Sequence, residues 1–216
     1  MKKNIRILIA DDHFFVRKGL QQVLSERFPD IEFGEAEDGQ KALQAVWAED
    51  WDVMLLDISM PGRGGLDTLK EVKQTKPKLP VIILSMHPED QFAIRVMKLG
   101  ACAYIRKDSA GSELVKGVEC ALKGGRYITQ VLAGKLADNL NRPDTPHEEL
   151  SDREYQVMIL LASGKTVKEA GAHLALSVKT ISTYRTRILE KTGLKNNSQI
   201  MRYAVNNGLI DLEAAG

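Results

Sequence analysis

Five times within its first 125 residues this chain repeats one unit. A short apolar run is followed by a stretch whose apolar positions recur at helical spacing. The short runs are Ile5 to Ala10, Glu32 to Glu37, Asp52 to Leu56, Pro80 to Leu84 and Cys102 to Ile105. After the first, Val16, Leu20, Val23, Leu24 and Phe28 mark a helix. Further helices are expected around 40–48, 66–74, 89–99 and 111–123, the last with Leu114, Val115, Val118 and Leu122 on its apolar face. Strands alternating with helices pair in parallel through right-handed crossovers, which predicts an α/β fold with a doubly wound five-stranded parallel sheet. In such folds, chemistry collects at the carboxyl ends of the strands, near the point where strand order reverses.

Those strand ends are where the acids lie. Asp11 and Asp12 follow the first run and Asp57 follows the third. Three carboxylates on one edge repel each other unless a cation neutralises them. No His or Cys belongs to this set, so a hard oxygen-seeking ion, magnesium, suits it better than zinc. Ser85 closes the fourth run and Lys107 follows the fifth; a hydroxyl and an ammonium there can take up phosphoryl oxygens. Taken singly, an Asp-Asp pair is an ordinary helix cap and a strand-end Ser or Lys ordinary loop chemistry. Their joint placement at four strand ends is what argues for phosphoryl transfer onto a carboxylate.

Beyond the fifth unit the pattern changes. An amphipathic run (Val131, Leu132, Lys135, Leu136, Leu140) leads into Asn141-Arg142-Pro143-Asp144-Thr145-Pro146, which reads as a linker. The expected division is a first domain over 1–125, a linker over 126–148 and a second domain over 149–216. In the second domain, Ser151 and Glu154 stand at capping-box spacing before a helix that stops at Gly164. Helices over 167–174, 178–192 and 198–206 follow, making a four-helix, all-α unit. The three-residue break Ala175-Leu176-Ser177 before a basic helix is the layout of a helix-turn-helix.

The formal net charge of +1 hides an asymmetry, because the chain from Ser151 onward has nine basic and six acidic residues. Between Ser177 and Lys195, five bases face only Glu190. On the third helix of this domain Ile181, Ile188 and Leu189 turn inward, while Lys179, Ser182, Thr183 and Thr186 lie outward. Arg185, Arg187 and Lys191 flank that surface at positions suited to phosphates, and the hydroxyls suit base edges. No apolar run is long enough to span a bilayer. Cys102 and Cys120 are too few for a disulfide framework, which fits two reduced thiols in a cytoplasmic protein.

The motifs Ile9-Ala10-Asp11-Asp12-His13, Leu56-Asp57-Ile58-Ser59-Met60-Pro61-Gly62, Leu84-Ser85-Met86-His87 and Tyr104-Ile105-Arg106-Lys107 resemble those of response-regulator receiver domains, which are flavodoxin-like. Leu150-Ser151-Asp152-Arg153-Glu154, Lys179-Thr180-Ile181-Ser182-Thr183-Tyr184 and Lys191-Thr192-Gly193-Leu194 resemble the LuxR-type helix-turn-helix. Together the chain is similar to the NarL/FixJ family. The resemblance implies that Asp57 accepts phosphate and that Asp12, Asp57 and the Ser59 carbonyl bind Mg2+, with Asp11 assisting. Lys107 would contact the phosphoryl oxygens, Ser85 and Tyr104 would form a coupled switch pair, and Pro61 and Gly65 would shape the loop after Asp57. His87 is taken as structural. The DNA-contact set is Lys179, Thr180, Ser182, Thr183, Tyr184, Thr186, Arg187 and Lys191. Partners implied are a sensor histidine kinase, double-stranded DNA and a second copy of the chain on DNA, with no membrane. Val167, Gly171 and Tyr184 depart from the usual family residues; Gly171 lowers helix propensity by about 1 kcal/mol against Ala. The rival is an enzyme, an acid-cluster phosphohydrolase, which leaves the helix-turn-helix unexplained and lacks a separate general acid or base.

Overall fold

The computed structural model describes residues 4–86, 89–139 and 145–210. His87 and the linker residues 140–144 lie outside them. Two compact units divide the chain, Met1–Ala133 and Gly134–Gly216.

The first unit is a five-stranded sheet. Its elements run β1 (Ile5–Ala10), α1 (Phe14–Arg27), β2 (Ile31–Ala36), α2 (Gly39–Ala48), β3 (Val53–Asp57), α3 (Gly65–Thr75), β4 (Val81–Ser85), α4 (Glu89–Lys98), β5 (Ala103–Arg106) and α5 (Ala110–Leu122). Every pairing is parallel and the strand order is β2-β1-β3-β4-β5. Alternate residues leave a strand on opposite faces, and here both sets are buried. Ile7, Ile9, Val53, Leu55, Ile82 and Leu84 join Leu20 and Leu24 of α1 and Leu114 and Val118 of α5 in one cluster. Leu8, Met54, Leu56 and Ile83, from the opposite face, are fully buried too. Burial on both faces explains why β1, β3 and β4 read as nearly unbroken apolar runs, whereas the half-covered edge strand β2 intersperses Ile31 and Phe33 with Glu32 and Glu35. The order reverses between β1 and β3, so the carboxyl ends of those two strands flank the switch point.

Part of the stretch expected to be linker is built into regular structure. Tyr127 donates its N–H to the Cys102 carbonyl (2.8 Å) and bridges Ala103, extending the sheet edge. Residues Gln130–Asn139 form α6, and Pro146–Glu149 a 3-10 turn.

The second unit carries α7 (Asp152–Ala162), α8 (Val167–His173), α9 (Val178–Thr192) and α10 (Asn197–Asn206). Its core includes Val157, Leu161, Ala170, Ile181, Ile188, Ile200 and Ala204. Ser151 and Glu154 form the expected capping box on α7. A second one, Thr166 with Glu169, opens α8. The α8–α9 turn is tight: Leu176 donates to the Gly171 carbonyl (2.8 Å), and Ala175 takes a left-handed φ of 52°. Gly171 has a packing role beyond low propensity, because a Cβ there would lie 2.8 Å from the Leu176 carbonyl oxygen.

Candidate functional sites

The switch point of the sheet gathers the acids. Asp11 follows β1 and Asp57 ends β3, and both are essentially buried (0% and 1% exposed). Asp11, Asp12 and Asp57, with His13, offer ligand atoms that all lie within 4.8 Å of one another. His13 therefore belongs to the neighbourhood, contrary to the expectation from sequence: its Nδ1 lies 2.9 Å from Asp12 Oδ1 and its side chain is exposed. Adjacency in the loop brings it there, at the residue that caps α1.

Lys107, just past β5, reaches back across the sheet edge. Its Nζ is 2.7 Å from Asp11 Oδ2 and 2.9 Å from Asp57 Oδ2. Burial pushes the Asp57 carboxyl above the ordinary carboxylate range; Asp11 adds to that push, and Lys107 opposes it. For Lys107, burial pulls the ammonium down, but Asp57 and Asp11 outweigh it and hold it above the ordinary lysine value. Despite those short ion-pair distances, Asp11 Oδ2, Asp12 Oδ1 and Asp57 Oδ2 are buried without a well-directed hydrogen bond. Buried charged oxygens left so are costly. Three of them converging form a donor set suited to a hard cation, and the cluster could hold a metal ion.

The loop after Asp57 is shaped by contact. Ser59 N–H donates to Asp57 Oδ1 (3.1 Å), and Gly65 N–H donates to the Ile58 carbonyl (3.2 Å). An added Cβ at Gly65 would sit 2.1 Å from the Asp57 carbonyl oxygen, so only glycine fits. Pro61 is exposed. Ser85 ends β4 fully buried, and Tyr104 on the adjoining strand is 1% exposed. The register pairs Ile83 with Tyr104 and Ser85 with Arg106, which puts Lys107 one residue beyond the partner of Ser85.

Two further residues, Arg17 and Glu35, brace this site, and reading by motif passed over both. Arg17 of α1 is buried; its Nη1 donates to the Asp11 carbonyl and its Nε to Glu35 Oε2, each at 2.8 Å. The sequence signal for Arg17 was a charge on the stripe that otherwise carries Leu20 and Leu24 into the core.

The second site is α9. Ser177 caps it, its hydroxyl accepting from Thr180 N–H (3.1 Å). Lys179, Ser182, Thr183, Thr186, Arg187 and Lys191 are exposed, whereas Thr180, Tyr184 and Arg185 are half-buried. Ile181 and Ile188 are buried as expected, and Leu189 is half-buried. The hydroxyls of Ser182, Thr183 and Thr186 donate to the carbonyls of Val178, Lys179 and Ser182 (2.9, 3.1 and 3.1 Å). With their single protons so used, they present lone pairs to a ligand.

Two of the three flanking cations are engaged within the domain. Arg185 Nε donates to Asn197 Oδ1 (2.7 Å), and Lys191 Nζ lies 2.7 Å from Oε2 of the buried Glu154.

The comparisons with known proteins bear on both sites. Residues 7–119 match the response regulator receiver domain, and residues 148–204 match the bacterial regulatory proteins of the luxR family. The chain belongs to the NarL/FixJ family of response regulators. GacA of Pseudomonas aeruginosa is 34% identical over 96% of this chain and 98% of its own length. UvrY of Escherichia coli is 32% identical over 97% of each. Among solved structures, RcsB of Salmonella enterica serovar Typhimurium bound to promoter rprA with BeF3- is 28% identical. That structure superposes with a TM-score of 0.61 over 93% of this chain and 98% of that one. The chain is thus a response regulator with a receiver domain and a LuxR-type DNA-binding domain. No helix among the described residues is long and apolar enough to cross a membrane.

Proposed function

We propose that Asp57 accepts a phosphoryl group from a sensor histidine kinase and that the modified protein, as a homodimer in the cytoplasm, regulates transcription by binding double-stranded DNA. The observation that carries this reading is the placement of the Asp57 carboxylate. It lies buried at the switch point, with Asp11 on one side and the Lys107 ammonium 2.9 Å away. Asp12 and Asp57, with the Ser59 carbonyl and assistance from Asp11, would hold Mg2+. The ion would neutralise the carboxylates and the incoming phosphoryl oxygens. Lys107 is already poised to bind a phosphoryl oxygen and so to hold the charge added at Asp57. The Ser85 hydroxyl, at the end of the neighbouring strand, would be drawn to the same oxygens. Its displacement would open space beside Tyr104 on β5, which makes the two a coupled switch.

In the second domain α9 enters the major groove. Lys179 and Arg187 contact phosphates, Tyr184 can add a hydrogen bond to one, and Ser182, Thr183 and Thr186 face base edges, with Thr180 at the helix start. Lys191 is placed among the phosphate contacts by sequence, but its bond to Glu154 competes with that role.

Acetyl phosphate with Mg2+, followed by mass spectrometry, tests the assignment. One adduct on Asp57 is expected, without turnover of a generic phosphomonoester, because this is a switch and not an enzyme. Wild-type labelling in Asp57→Ala, or sustained turnover, overturns it.

A further inference from the structure

We propose that Arg17, locked in place by Glu35, is a positioning residue that holds Asp11 and Asp12 ready for a divalent cation. The inference rests on the acid cluster being a magnesium site, as proposed above. A buried guanidinium is costly unless its donors are filled. Arg17 directs two of them to this corner of the sheet: Nε binds Glu35 Oε2 and Nη1 binds the main-chain carbonyl of Asp11. Glu35 lies on β2 directly opposite Ile9 of β1, two residues before Asp11, so the anchor sits on the strand beside the one it steadies. Lys18 Nζ and Gln21 Nε2 also bind Glu35, at 2.6 and 2.9 Å. With Arg17 they hold its carboxyl down to about 2, so the anchor stays ionised throughout the neutral range.

The carbonyl that Arg17 grips belongs to the peptide joining Asp11 to Asp12. A peptide group is planar and moves as one unit, so a hydrogen bond on its oxygen restrains the swing of the peptide that carries both Cα atoms. Asp11 N–H, bound to the Ala36 carbonyl (3.0 Å), and Asp11 Oδ1, accepting from His13 N–H (2.8 Å), complete the hold. These bonds converge on a loop whose charges oppose its own geometry. Asp11 Oδ2, Asp12 Oδ1 and Asp57 Oδ2 are buried atoms, and the three carboxylates offer oxygens within 4.8 Å of one another. Lys107 offsets part of the repulsion between Asp11 and Asp57, but it does not hold the Asp11–Asp12 backbone; without Arg17 the cation would have to order that loop at its own expense.

Calorimetric titration of the full chain with Mg2+ alone tests the proposal. The series is wild type, Asp12→Ala, Arg17→Met, Glu35→Gln and Arg27→Met, each also melted thermally. Supporting side chains one layer out from a metal change affinity roughly 10–100-fold, so Arg17→Met should weaken Mg2+ binding by at least about tenfold. Glu35→Gln should weaken it in the same direction by a smaller factor, and it carries the test should Arg17→Met fail to fold. Arg27, at the far end of α1 from the acids, pairs with Glu119 of α5; Arg27→Met removes that pair and should leave Mg2+ affinity unchanged. If Arg17→Met and Glu35→Gln bind like wild type while Asp12→Ala does not, the positioning role is overturned and the metal site stands. The positioning role falls as well if Arg27→Met weakens binding as much as Arg17→Met does. If wild type shows no saturable binding, the magnesium reading fails and the proposal with it.

Discussion

Lys191 shows how a single residue changes meaning between sequence and structure. On a helical wheel it is one more cation beside the exposed hydroxyls of α9. In space it neutralises Glu154, a buried carboxylate that also accepts from Ser151 N–H (2.8 Å) at the start of α7. Burial pushes the Glu154 carboxyl up, but Lys191 and Ser151 outweigh it and hold it below the ordinary glutamate value. A depressed carboxyl contributes stability that is present above its unfolded value and is lost as pH falls through the folded one. Lys191→Met should therefore destabilise the second domain near neutral pH. The cost is about 1–3 kcal/mol for a buried group losing a charged partner, toward the lower end because Lys191 is itself partly solvated. The deficit should shrink only as pH falls below the ordinary glutamate range and through the depressed folded value of Glu154, where the carboxyl takes up its proton and the pair is lost. Denaturant melts across pH check this, and a deficit that stays constant until both proteins unfold in acid would rule the pair out as its source. The same ion pair predicts a split in DNA binding. Lys179→Ala and Arg187→Ala should each reduce the slope of log affinity against log salt by about 1, and Lys191→Ala by clearly less. Equal changes in all three would return Lys191 to the phosphate contacts.

At the scale of elements, β1, β3 and β4 were legible because burial on both faces writes nearly unbroken runs of Val, Ile and Leu, and the acids at the ends of β1 and β3 were legible because they follow directly. Helix starts with a local code were legible as well. Ser151-x-x-Glu154 announced α7, and Thr166-x-x-Glu169 carried the same message for α8 without being singled out. Pairs joined only by the fold left no such trace. Arg17 and Glu35 are 18 residues apart and Glu154 and Lys191 are 37 apart, and no local period links them. Gly171 belongs to this second class. Propensity alone says that Ala would strengthen α8 by about 1 kcal/mol, but the Leu176 carbonyl occupies the space a Cβ needs. Gly171→Ala should therefore destabilise, by forcing apart the turn that sets α9 on α8. Gly19, inside α1, has nothing within 4 Å of its Cβ position, so Gly19→Ala should stabilise by roughly 0.5–1 kcal/mol. Thermal melts of the two variants should move in opposite directions. A stabilised Gly171→Ala would show that the turn has slack which the 2.8 Å approach denies.

For the whole molecule the open step is how a charge placed on Asp57 reaches α9. The acid cluster lies within Met1–Ala133 and α9, the helix proposed to face DNA, within Gly134–Gly216, each built on its own core. A signal between two such units must act on an equilibrium that both sites bias, and any equilibrium of that kind is reciprocal. If occupying the Asp57 site raises affinity for an operator by some factor, the operator must raise affinity for the phosphoryl mimic by the same factor. Beryllofluoride with Mg2+ makes this measurable, since it binds reversibly. Its half-saturation concentration should fall when a selected operator is present, by the ratio of the two operator dissociation constants measured with and without beryllofluoride. If the shared equilibrium is dimerisation, both factors should grow as the protein is diluted below its dimer dissociation constant and fade above it, because mass action then supplies less of the dimer. Scrambled DNA binds mainly through phosphates, and should shift the half-saturation less than the operator does. Operator affinity that rises with beryllofluoride while beryllofluoride affinity ignores the operator would break the reciprocity. The two domains would then not be linked through one equilibrium, and the apparent activation would have to come from labelling at a second site, which Asp57→Ala would reveal by responding as wild type does.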